Sequence, residues 1–287
     1  MRGRAVVRWL AGTSLALLLV AAAGFCWIYV ASEAHLRSFP QPPPFRFAIP
    51  TDAAAIARGD HLVRTRGCRG CHGDRLQGQQ MWGYAVAPNL PLYARTRSAA
   101  EVEAALRHGI AHDGRAMYDM PAFNFIRLRD ADVADIIAYL RAVPVEPVAL
   151  PVARLPWGIR LRLARGTNQA IPAFIPRVPA LRHANDPDPR IVRGEYLAMT
   201  TCIECHGLTL HADAPFGDET APDLAVIAGY DLAAFMRLMR TGKALGDREL
   251  EMMSPVARGR FVYFSDEEVS DLYAFLRANV APASREP

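Results

Sequence analysis

Cysteine is scarce in this chain, with five in 287 residues, and four of the five are committed to two copies of one short pattern. Only Cys26 is left over, so there is no reserve for a disulfide framework and no spare thiolate outside the patterns. A basic stripe interleaved with aromatics is also missing, and with it the usual footprint of nucleic-acid binding. Long hydrophobic runs are confined to a single place, from Trp9 to Val30, broken only by Thr13 and Ser14.

The two cysteine patterns are Cys68-Arg69-Gly70-Cys71-His72 and Cys202-Ile203-Glu204-Cys205-His206. Cys-x-x-Cys-His is the spacing of covalent c-type haem attachment. On one turn of helix both thiols reach haem vinyl groups and form thioethers, while the adjacent histidine presents its imidazole to the iron. Two copies predict two covalently bound haem c groups. Cys-x-x-Cys is also zinc spacing, and the two pairs could supply four thiolates. That alternative leaves both histidines unexplained, and it leaves a longer repeat unexplained as well.

Similarity between the halves extends well beyond the pentapeptides, which marks a duplicated unit. Upstream, Arg58-Gly59-Asp60-His61-Leu62 faces Arg193-Gly194-Glu195-Tyr196-Leu197. Downstream, Ala87-Pro88-Asn89-Leu90 matches Ala221-Pro222-Asp223-Leu224, with 16 residues from His72 to Pro88 and 16 from His206 to Pro222. Arg107-His108-Gly109 aligns with Arg240-Thr241-Gly242, and the segment Asp132 to Arg141 aligns with Glu268 to Arg277. Each unit reads as helix, haem motif, loop, helix, methionine-bearing loop, helix.

On these residues each unit resembles a class I cytochrome c domain. The pair resembles the haem subunits of membrane-bound bacterial alcohol and sugar-acid dehydrogenases, over most of residues 51 to 145 and 190 to 280. Those subunits commonly carry three haem domains, whereas this chain has two and an N-terminal apolar segment. The resemblance implies that the first and last helices of each domain cross closely, with Gly59 and Gly194 at the contacts and Tyr139 and Phe275 as aromatic partners. It also implies a role for Pro88 and Pro222, whose carbonyls accept a hydrogen bond from the second nitrogen of His72 and His206. Such a partner orients the ring and raises its basicity.

His72 and His206 each fill one axial position, so function turns on the other. In Tyr118-Asp119-Met120-Pro121 the family pattern points to Met120, with Met117 as the near alternative. In the second unit Met252 and Met253 compete; separations of 48 residues from His72 to Met120 and 47 from His206 to Met253 favour Met253. Methionine opposite histidine raises the potential relative to two histidines. The remaining Met81, Met199, Met236 and Met239 read as core filler, since methionine adapts to irregular apolar gaps. His108 aligns with Thr241, so it and His112 read as surface or propionate-contacting histidines rather than ligands.

The apolar run of 22 residues from Trp9 to Val30 matches the roughly 20 needed to cross a bilayer and exceeds the core of a cleaved signal. Residues 1–8 carry Arg2, Arg4 and Arg8, which the positive-inside rule keeps cytoplasmic. The haem domains then face the periplasm of a bacterial inner membrane, where this family matures. Cys26 reads as an inert intramembrane thiol. Residues 31–50 form a spacer with four prolines between Pro40 and Pro44. Residues 146–190 form a linker in a stretch holding nine prolines from Pro144 to Pro189, long enough to pack across both domains. Its segment Leu155 to Leu163 fits a strand or a helix equally.

The expected fold is all-α: one transmembrane helix followed by two tandem cytochrome c domains, at 51–145 and 191–282. The expected function is electron transfer between a dehydrogenase or quinol-oxidising donor and a terminal oxidase or soluble cytochrome, with no catalysis by the chain itself. A dihaem enzyme, peroxidase-like or thiosulfate-oxidising, is the competing expectation. It needs an open iron or an extra cysteine ligand, and the chain offers a methionine for each haem. Net charge is +4 overall, yet residues 191–287 hold 9 basic and 15 acidic side chains. An acidic second domain is suited to docking a basic redox protein.

Overall fold

A computed structural model describes residues 2–213 and 221–280. Helix α1 (Arg2–Leu36) is 35 residues long, about 52 Å at 1.5 Å per residue. Its apolar side chains from Val6 to Val30 are exposed around the circumference, and the stretch Val6–Leu36 is long and apolar enough to cross a membrane. The helix runs six residues beyond the Val30 expected from the hydrophobic run. The reason lies at its end, where Ser32 and Leu36 are buried and Glu33 is held by Arg115 at 3.0 Å and Arg160 at 2.9 Å.

Residues 37–52 continue without regular structure to the first unit. There, Asp52 caps α2 (Ala53–Thr65) by accepting from the Ala55 amide. The short α3 (Cys68–His72) follows, then a hairpin of β1 (Gln79–Met81) and β2 (Ala85–Ala87), antiparallel with Gln80 opposite Val86. This hairpin is a small departure from the all-helical expectation. Helices α4 (Leu90–Thr96), α5 (Ala99–His108, with a Ser98/Glu101 capping box) and α6 (Asp130–Ala142) complete the unit.

Within the linker, α7 (Trp157–Ala164) settles the segment that fitted strand or helix equally. Ile159 and Leu163, one turn apart, face inward, and Trp157 meets Phe25 of α1 edge-on at 5.1 Å. The second unit contains α8 (Pro189–Met199), α9 (Ile203–His206), a 3-10 turn (Leu224–Gly229), α10 (Leu232–Thr241), α11 (Met253–Gly259) and α12 (Asp266–Val280).

The close helix crossings are present in both units. A Cβ on Gly59 would lie 2.6 Å from the Tyr139 Cβ and closer still to the Asp135 carbonyl oxygen. On Gly194 it would lie 2.6 Å from the Phe275 Cβ and collide with the Asp271 carbonyl. Only glycine leaves room for helix backbones at that distance. Each crossing is pinned beside the glycine by a forked ion pair: Arg58 with Asp135 at 2.6 and 3.1 Å, and Arg193 with Asp271 at 2.5 and 3.1 Å.

The units are packed together. Tyr196 of α8 is part of the first unit's core, while Ala122 and Phe123 are part of the second's, with Phe123 edge-on to Phe174 of the linker at 6.3 Å. Arg129 stacks over Tyr196 at 4.3 Å, and the Tyr196 hydroxyl donates to Asp132. A third small core joins Leu36 of α1 to Ile110 and Ala116 of the first unit and Ile159 and Leu163 of the linker.

Candidate haem sites

In the first unit α2 ends at Thr65, and the left-handed Gly67 (φ 77°) just beyond it starts α3, which carries Cys68, Cys71 and His72 on a single turn. His72 is buried, and its Nδ1 donates to the Pro88 carbonyl at 2.8 Å. The second unit reproduces this contact, with His206 Nδ1 donating to Pro222 at the same 2.8 Å. Burial pushes both imidazoles below their ordinary pKa, with the proline carbonyl opposing in part. Each ring is therefore neutral near pH 7, with Nδ1 carrying the proton and Nε2 keeping its lone pair for a metal.

Cys68, Cys71 and His72 open on a cavity of about 520 Å³, within the range of roughly 300–1,000 Å³ for cofactor pockets. Its wall is mostly apolar, with Leu106, Phe125, Ile136 and Leu140 toward the core. Met117 and Met120 both reach the cavity, and Met120 also packs against the first unit's core. Met81, expected as filler, lines the wall too, because the β1/β2 turn at Trp82 (φ 48°) and Gly83 (φ 77°) folds the hairpin over the cavity. His112 lines the cavity, stacked edge-on to Tyr93 at 6.0 Å. His108 turns away to Glu103 at 3.1 Å.

In the second unit, Met252 is 56% exposed, whereas Met253 starts α11 and packs against the core. Met199 and Met239 are buried core residues, as expected. Residues 214–220, between His206 and Pro222, lie outside the described set.

Burial pushes the Cys68 thiol up to about 11 and the Cys202 thiol up to about 12. Among the described residues no cluster of three or more His, Cys, Asp or Glu is placed to hold a metal ion. An apolar cavity, two thiols and an imidazole with a free Nε2 form a donor set that fits haem c.

Several residues around the sites escaped the sequence reading. Asp135 and Asp271, the partners of Arg58 and Arg193, were visible as aligned acids within the repeat. Arg66, Arg260 and Glu204 were not, because Arg66 aligns with Thr200 and carries no repeated signal.

Comparison with known proteins agrees with this geometry. Residues 56–144 and 191–279 each match the cytochrome c family. The chain belongs to that family, as a tandem pair of cytochrome c domains that imply covalently bound haem c. It is 27% identical over 271 residues to the fructose dehydrogenase cytochrome subunit of Gluconobacter japonicus, covering 82% of this chain and 55% of that protein. It is 31% identical over 174 residues to the cytochrome c subunit of the alcohol dehydrogenase (quinone) of Gluconacetobacter polyoxogenes, covering 54% and 36%. The gluconate 2-dehydrogenase cytochrome c subunit of Pantoea cypripedii is 26% identical over 171 residues, covering 53% and 38%. The chain thus spans between about a third and about half of the length of these relatives. All three relatives are named as cytochrome subunits of dehydrogenases.

Proposed function

We propose that this chain is a membrane-anchored two-haem electron carrier. It takes electrons from a dehydrogenase or quinol-oxidising partner and passes them toward a terminal oxidase or a soluble cytochrome. Cys68 and Cys71 would hold one haem covalently, with His72 and Met120 as its iron's ligands, and Cys202 and Cys205 would hold the other, with His206 and Met253. The observation that carries the proposal is the repeated histidine contact, 2.8 Å from Nδ1 to a proline carbonyl at the same 16-residue spacing in both units.

Haem iron, when bound, supplies reversible one-electron chemistry. The protein's part is to hold the imidazole in one tautomer, close the sixth position with a thioether, and keep water out with the apolar wall. An iron filled on both sides is suited to passing electrons and poorly suited to binding substrate. The basic start, with Arg2, Arg4 and Arg8 before the apolar helix, supports single-pass insertion with the haem domains on the periplasmic face of a bacterial inner membrane. The kinship to dehydrogenase cytochrome subunits supports the dehydrogenase as donor.

The test is to purify the full chain from membranes, count haem per protein by pyridine haemochrome and intact mass, and mix the reduced form with a soluble ferric cytochrome c. Two haems per chain and full reoxidation within milliseconds to seconds are expected. A chain that carries fewer than two, or that holds its electrons, overturns the proposal.

A further inference from the structure

Between the two attachment motifs lies a buried charge cluster that the histidine and methionine ligands do not account for. Arg66, two residues before Cys68, is 3% exposed and lines the first cavity. Its Nη1 donates to the Thr65 hydroxyl at 2.9 Å, its guanidinium lies 5.8 Å from the Tyr196 ring and 6.0 Å from the Phe264 ring, and its Nε has no hydrogen-bond partner. Arg260 enters from the second unit with its side chain only 12% exposed. Its Nε donates to the Thr65 carbonyl at 2.9 Å, its Nη1 is 3.5 Å from Glu204 Oε2, and its Nη2 is unpaired.

Two further placements bind this cluster to both sites. A Cβ on Gly67, next to Cys68, would come within 3.0 Å of the Arg260 guanidinium, so a glycine there admits the arginine. Glu204 lies between Cys202 and Cys205 of the second motif, yet it lines the first cavity. The motifs thus meet across two buried guanidiniums with one carboxylate at the edge. Asp132 and Glu268 also act on Arg66 from further out; Asp132 accepts from the Tyr196 hydroxyl and Glu268 pairs with His61. Buried positive charge favours any neighbouring centre that becomes less positive, as iron does on reduction.

Resting on the assignment of a haem to each motif, we infer that Arg66 and Arg260 form a cationic bridge between the two haem sites. It joins the motifs across the domain boundary and raises the reduction potentials of both haems together. Arg66 and Arg260 are positioning residues; Glu204 partly offsets their charge.

The test is a spectroelectrochemical titration of the purified full chain, wild type against Arg260→Gln, Arg260→Lys and Glu204→Gln, with haem counted in every sample. Arg260→Gln is expected to lower both midpoint potentials, Glu204→Gln to raise both, and Arg260→Lys, which keeps the charge, to stay near wild type. Should Arg260→Gln fail to fold, the upward shift in Glu204→Gln carries the test alone. Unmoved potentials in a protein that holds two haems overturn the inference, as does a shift confined to one haem or an Arg260→Lys variant that behaves like Arg260→Gln. A wild type holding fewer than two haems instead overturns the assignment on which the inference rests.

Discussion

The contrast between Met252 and Met253 shows how much one residue of register decides. The two are adjacent in sequence, but the start of α11 leaves the first 56% exposed and turns the second against the core. Met253→Ala is therefore expected to abolish the methionine-to-iron charge-transfer band of one haem and to let that haem bind carbon monoxide. Met252→Ala should leave the spectrum unchanged; absorption spectroscopy of the two variants checks this. In the first unit Met120→Ala is expected to behave like Met253→Ala and Met117→Ala like Met252→Ala, although both residues line the cavity. At this scale the cysteine and histidine positions were legible because covalent attachment fixes their spacing, and the proline contacts because the family resemblance implies them. The buried arginines were not legible, since they answer to the packing of one unit on the other and have no counterpart in the repeat.

Among the elements, the crossings of α2 with α6 and of α8 with α12 set the frame of each site. Gly59→Ala and Gly194→Ala each force a methyl group onto a backbone carbonyl that cannot step aside. Each should cost at least the ~1–3 kcal/mol typical of overpacking, read as a fall in thermal midpoint of the holoprotein and reduced haem incorporation. The resemblance to cytochrome c domains implied these crossings in advance, at a glycine and an aromatic that recur in both units. The length of α1 was not foreseen, since the hydrophobic run ends at Val30 while the helix is prolonged by the Glu33 ion pairs and the burial of Leu36. Nor was the hairpin, whose strands of three residues each are too short to show an alternating pattern.

Helix α12 also carries a pH-sensitive tie between the units, His61 to Glu268 at 2.8 Å. Burial raises the Glu268 pKa, but the hydrogen bonds from His61 and from the Ser265 amide outweigh it and hold the carboxyl below its ordinary 4.5. A depressed carboxyl stabilises the fold above its unfolded pKa and loses that contribution as pH falls through the lower, folded value. Thermal midpoints measured downward from pH 6 should drop below about 4.5. Glu268→Gln, which can still complete the capping box with Ser265, should show a shallower decline. An identical decline in both proteins would remove Glu268 from the explanation.

Across the whole molecule the charge is uneven, with residues 191–287 holding 15 acidic against 9 basic side chains. If this field steers a basic partner, the second-order rate of electron exchange with a basic soluble cytochrome should fall as ionic strength rises from about 0.01 to about 0.15 M, where the Debye length shrinks from about 30 to about 8 Å. A rate indifferent to salt would count against docking at the second domain. The two-domain plan was legible because duplication wrote it twice. The mutual packing of the domains was not, because it depends on unique residues such as Phe123, Tyr196 and Arg260.

The central claim is that both irons are closed by protein ligands and pass electrons without binding substrate. Electron paramagnetic resonance and optical spectra of the purified wild-type chain, oxidised and reduced, with and without carbon monoxide, test it most directly. Two low-spin haems with methionine charge-transfer absorption and no response to carbon monoxide are expected. A high-spin haem, or one that binds carbon monoxide readily, would mean an open sixth position and contradict the account of the chain as an electron carrier alone.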